Sequence, residues 1–180
     1  MKKAAAAVLI LVAGCGGAPD KPPPPPENPQ MGVARVTPKN GSTVQGLISF
    51  TQVGDRVRIA GQFFELFPGP HSLYIHAVGN CSSPNAASAG PVWNVPGNTD
   101  KRATGALPLL VAGTEGRAEV TTSLSTMSVG TGRPDDVIGR SVVVHADVDP
   151  DPKVEYGVPN GWLACGVIVR TEGFDIKKVL

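Results

Sequence analysis

Histidine is scarce in this 180-residue chain, with only three: His71, His76 and His145. That count excludes any site built on a large set of imidazoles. The charge is nearly balanced, 16 Lys and Arg against 15 Asp and Glu for a formal net charge of +1, so no nucleic-acid partner is implied. Long apolar runs are missing too. The stretch from Ala4 to Ala13 falls well short of the roughly 20 residues that a bilayer-spanning helix needs, and no other stretch comes close, so the body is expected to be soluble. No window of a dozen residues in the body carries helical periodicity. Ser, His and Asp occur without a nucleophile elbow, which leaves a hydrolase triad unsupported. Gly130 and Gly132 run into Arg133-Pro134 and read as a turn, not as a phosphate-binding loop.

The N-terminus has its own logic. Lys2 and Lys3 followed by the short apolar run have the layout of a secretory signal. Val12-Ala13-Gly14-Cys15 resembles the lipobox of bacterial lipoproteins, which implies cleavage before Cys15 and a lipid on it; the alternative is an ordinary cleavage site with Cys15 left as a stray thiol. Gly16, where Asp would signal retention, resembles lipoproteins sent onward to an outer membrane in cells that have one. From Gly16 to Gln30 the chain is Gly, Pro and charge, with five consecutive prolines from Pro22 to Pro26, a composition that favours extended polyproline II and cannot form a core. At about 3 Å per residue this tether holds a domain about 40 Å from a membrane surface. The expected organisation is therefore a signal over 1–14, a lipidated cysteine and tether over 15–30, and one domain over 31–180. Removing Lys2 and Lys3 takes the charge from +1 to −1. The chain is expected to be exported and held in the cell envelope, with the membrane met through Cys15; a protein partner and the oligomeric state are left open.

The body reads as strands. Val44, Gly46, Ile48 and Phe50 alternate with Gln45, Leu47 and Ser49, and after Gly54-Asp55 a second alternation runs through Val57, Ile59, Gly61 and Phe63, which predicts a hairpin. Further strands are expected near Val33 to Val36, Ser72 to His76, Thr104 to Val111, Ala118 to Leu124, Ser141 to Ala146 and Leu163 to Val169. About eight strands punctuated by Gly and Pro predict an all-β Greek-key barrel or sandwich. With Cys15 assigned to lipid, Cys81 and Cys165 remain as an even pair in an exported protein. A disulfide is the economical reading; two metal-binding thiols, which need a reducing compartment, are the alternative.

Several segments carry a resemblance when taken together. Gly41-Ser42-Thr43-Val44-Gln45-Gly46, Phe50-Thr51-Gln52, Gly54-Asp55 and Leu66-Phe67-Pro68-Gly69-Pro70-His71 are followed in order by Cys81, Ser88-Ala89-Gly90-Pro91, Ile138 through His145, and Gly161 with Leu163-Ala164-Cys165-Gly166-Val167-Ile168. The set resembles the copper/zinc superoxide dismutases. The resemblance implies an eight-stranded Greek-key β-barrel with Cys81 bridged to Cys165.

It also implies a metal site, and there the sequence departs. The family's copper takes four histidines, one of which bridges to zinc, and zinc takes two more and an Asp; six histidines are needed and three exist. By the resemblance, Tyr74 stands in place of the first copper histidine and His76 in the second, with the strand period pointing both inward together. Val92 replaces the bridging histidine, Ala106 the zinc Asp, and Trp162 the arginine that draws superoxide toward copper. His145 fits the remaining copper position, and His71 matches a hydrogen-bonding residue behind the ligands. Zinc is not expected. One copper at His76, His145 and Tyr74 is the cofactor these residues leave open.

Asp147, Asp149 and Asp151 fail as a calcium loop, because an EF-hand begun at Asp147 puts Pro152 where Gly is needed and Val158 where Glu is needed. The leading expectation is a membrane-anchored superoxide dismutase-like pseudoenzyme, with no catalytic residues, that serves as a binding or envelope-associated module. Copper handling and residual copper-only dismutation are the alternatives.

Overall fold

The structure, a computed structural model, describes residues 30–100, 102–148 and 161–171. The signal, Cys15, the proline run, Asp149 and Asp151 lie outside the described residues. The strands are β1 (Met31–Pro38), β2 (Gln45–Val53), β3 (Arg56–Phe64), β4 (Gly69–His71), β5 (Leu73–His76), β6 (Leu110–Ala112), β7 (Ala118–Leu124), β8 (Ser141–His145), β9 (Trp162–Val167) and β10 (Val169–Arg170), with a one-turn 3-10 helix at Ala87–Ala89.

The fold is all-β. One curled antiparallel sheet runs in the order β5-β8-β9-β1-β2-β3-β7, with β10 also paired to β1, and β4 pairs with β6 in a second sheet. Neighbours that are distant in sequence, such as β1 with β9 and β3 with β7, give the Greek-key character. The predicted hairpin joins β2 to β3 through Gly54 and Asp55, with Gly54 at φ 59 in the left-handed region that glycine adopts without a Cβ clash. β4 continues into β5, and β6 turns into β7 through Gly113–Gly116, so the small sheet links the two edge strands of the large one. Alternating residues from both sides fill the interior. Ile48, Phe50, Ile59, Phe63, Leu73 and Ile75 are fully buried together with Val142 and Val144, and each contributes roughly 1.5–3 kcal/mol relative to exposure.

Three strand boundaries differ from expectation, each for a local reason. The expected strand Thr104–Val111 is reduced to Leu110–Ala112: Thr104 and Gly105 form a turn, Ala106 makes a single bridge to Tyr74, and Pro108 has no N–H to give a ladder. The expected Ser72–His76 strand starts one residue later, at Leu73, because a short strand that was not expected, β4, is separated from it at Ser72. There the chain leaves β6 and joins β8, with Ser72 N–H donating to Asp147 O at 3.2 Å and Ser72 O accepting from His145 N–H at 2.9 Å. The last expected strand breaks at Ile168, whose backbone pairs with Gly139 and Arg140 while its side chain is buried.

Cys81 and Cys165 are disulfide-bonded, with Cα atoms 5.7 Å apart. The bond pins the loop that carries the 3-10 helix onto β9, and Ala86, Ala89, Val143 and Trp162 pack around it in a second apolar cluster.

Candidate functional site

The period of β5 decides what can meet. Leu73 and Ile75 belong to the barrel interior, so Tyr74 and His76 project together to the other face. This corrects the inward direction expected from the sequence: the interior is already filled by aliphatic side chains, and on the outer face His76 bonds to Gly90 at the end of the loop that begins at Cys81. Period two on β8 likewise sends Val142 and Val144 into the interior and Ser141, Val143 and His145 toward the same outer layer. A bulge between Val144 and His145 ends the regular register there and sets His145 opposite Trp162 of β9.

Four rings converge. His145 lies edge-on to Tyr74 at 4.9 Å between centroids and nearly parallel to Trp162 at 5.5 Å, while His76 lies edge-on to Trp162 at 4.8 Å. None of the four is more than 8% exposed, so the cluster is effectively withdrawn from water.

The hydrogen bonds fix the protons. His76 Nδ1 is 2.6 Å from Gly90 O, and a carbonyl only accepts, so the proton is on Nδ1. In the neutral ring Nε2 then carries a lone pair. It sits 3.2 Å from His145 Nε2, which must therefore be the donor. His71 Nε2–H donates to Phe67 O at 2.7 Å, and its Nδ1 lies 3.3 Å from His145 O, so His71 braces the backbone at the end of β8 without entering the ring cluster. Trp162 Nε1 is buried with no hydrogen-bond partner among the described residues. An orphaned indole N–H of this kind costs about 1–3 kcal/mol and makes a poor substitute for a guanidinium in a solvated funnel.

Each replaced position stands directly across from one of the remaining polar rings. Val92 is bridged to His76, Ala106 to Tyr74, and Trp162 is in register with His145. Among the described residues no three His, Cys, Asp or Glu side chains come together as a metal-holding group. Val92 and Ala106 thus face the two polar rings of β5 across backbone bridges, and the Trp162 indole lies against both imidazoles.

The model of the family described as copper/zinc superoxide dismutase matches residues 44–168. The chain belongs to that family. It is 32% identical over 151 residues to an extracellular copper-zinc superoxide dismutase of Brugia pahangi, covering 76% of this chain and 74% of the relative. It is 31% identical over 155 residues to a copper-zinc superoxide dismutase of Onchocerca volvulus, covering 77% and 96%. Among solved structures, the clock protein EA4 is similar at a TM-score of 0.65 and 27% identity, covering 78% of this chain and 94% of that one.

Against the dinuclear centre of the superoxide dismutases, the side chains present do not fit. Six imidazoles and a carboxylate are required by the resemblance, and this site offers two imidazoles already hydrogen-bonded to one another. No step of dismutation can be derived from these groups. Sequence reading located His76, His145 and Tyr74, which the fold does bring together, and placed His71 behind them. It did not find the Gly90 carbonyl, because a backbone acceptor has no side-chain signature. It also treated Trp162 only as a lost charge; a large aromatic before Leu163-Ala164-Cys165 was the available signal for packing.

Proposed function

We propose that this chain is an exported lipoprotein, anchored through Cys15, whose superoxide dismutase-like domain does not dismutate superoxide and serves as a binding module of the cell envelope. The observation that carries the reading is the hydrogen bond of 3.2 Å between His76 Nε2 and His145 Nε2, with the Trp162 ring against both imidazoles. Dismutation needs a metal that changes oxidation state and an open path for an anion. Here the two remaining nitrogens satisfy each other, and apolar groups cover them. The N-terminal signal and lipobox support export, and among the described residues no helix is long and apolar enough to cross a membrane. The test is superoxide decay after incubation with copper, run on the mature chain and on a His76→Ala, His145→Ala variant. Equal rates support the reading; a fast decay that the variant loses overturns it.

One observation favours a second reading, copper capture or delivery. Two imidazole nitrogens 3.2 Å apart suit two bonds of about 2 Å to a single ion, and imidazole is a good copper donor. His76 and His145 would hold it, with the Tyr74 phenol beside them. Copper titration followed by absorption spectroscopy decides: a phenolate-to-copper band that disappears in Tyr74→Phe supports this reading, and a silent titration removes it.

A further inference from the structure

A cavity of about 350 Å³ opens beside Tyr74, between the start of β5, Arg102 with Leu107–Leu109, and Val148 beyond β8. Its size falls in the range that takes small organic ligands. Tyr74 and Leu107, both nearly fully buried, lie at its floor, while Leu109 and Val148 remain 44% and 42% exposed at its rim. Scattered exposed aliphatics are ordinary, but these two face one opening beside an apolar floor.

Among the described residues that line it, one cation, Arg102, addresses that opening. Arg102 Nη2 donates to the carbonyl of Leu107 at 3.2 Å, which draws the guanidinium over the cavity. No carboxylate among the described residues pairs with it. A guanidinium has five N–H donors in a planar fork, so most of them stay available after one bond to a carbonyl.

We propose that this cavity binds a small amphipathic carboxylate, its head on Arg102 and its hydrocarbon body against Leu107, Leu109 and Val148. The proposal names a ligand class for the binding role proposed above and rests on that role. An inorganic anion would leave the apolar floor unused, and an organic cation would meet Arg102 with like charge. A carboxylate matches the fork in a bidentate pair, and the alkyl chain removes the exposed aliphatics from water.

The experiment is a calorimetric titration of the full mature chain with decanoate, decanol and decyltrimethylammonium. Decanoate is expected to saturate at one per chain, decanol to bind at least about tenfold more weakly, and the ammonium not to bind. Arg102→Gln should weaken decanoate at least about tenfold while leaving decanol unchanged, and Leu109→Glu should weaken both; unaltered melting of each variant shows that the fold is kept. No saturation by decanoate, equal affinity for the ammonium, or indifference to Arg102→Gln overturns the proposal. Because none of these readouts involves superoxide, dismutase activity in the wild type would sink the non-catalytic reading without deciding this one.

Discussion

At the scale of single residues, His76 and His145 are hydrogen-bonded to each other, and removing one of them leaves a buried nitrogen of the other unmatched. His145→Ala deprives His76 Nε2 of its donor and leaves a cavity against Tyr74 and Trp162, and is expected to cost about 2–4 kcal/mol in urea unfolding. The reverse experiment adds donors. In Tyr74→His, Val92→His, the new imidazoles flank His76 on the same strand and across its bridge, so copper affinity is expected to rise at least about tenfold over wild type, read by competition with a chromogenic chelator. Away from the site, the Arg133 guanidinium holds the Asp135 carboxyl below its ordinary range, chiefly through their direct hydrogen bond. A carboxyl depressed in the folded state adds stability that is present above its unfolded titration and is lost as pH falls through its folded one. Asp135→Asn should therefore remove a small part of the acid-side decline in melting temperature, small because the pair lies at the surface and is screened.

At the scale of elements, the site depends on close approach between β5 and the loop that follows Trp93. Ile75 N–H donates to Gly105 O at 2.8 Å, and Gly105 N–H donates to Trp93 O at 2.8 Å, so Gly105 sits where three segments cross. A Cβ at this position would collide with the Ile75 carbonyl oxygen. Gly105→Ala is expected to cost about 1–3 kcal/mol and to disturb the near-ultraviolet dichroism of Trp93 and Tyr74. Strands whose two faces differ were legible in the sequence: Ala118–Leu124 has the bounds expected, β3 lies within a residue of its alternation, and β2 runs three residues past Phe50 to the turn. The breaks at Ser72 and Ile168 were not. Both residues keep the period of a strand while their backbone groups bond to a different partner from their neighbours', and partner choice is a tertiary fact.

At the scale of the whole molecule, a disulfide across 84 residues closes β6, β7, β8 and most of β9 into one loop. In the chain-entropy account, such a loop stabilises by roughly 4–5 kcal/mol, so Cys81→Ala, Cys165→Ala should lower the denaturant midpoint sharply and free the loop that supplies Gly90 to His76. The family and its barrel were legible because the motif segments that carry them are spread from Gly41 to Ile168 and include turn glycines and paired cysteines. The residues of the site were legible as substitutions in a known pattern. Their arrangement was not, because the mutual hydrogen bond of His76 with His145 depends on the bulge at the end of β8 and on the carbonyl of Gly90.

The central claim is that the two nitrogens left at this site serve each other instead of a metal. Native mass spectrometry of the mature chain, refolded with excess copper and passed through a desalting column, tests it most directly. The account predicts the mass of the metal-free chain; one copper retained per chain, and lost from the His76→Ala, His145→Ala variant, would contradict it.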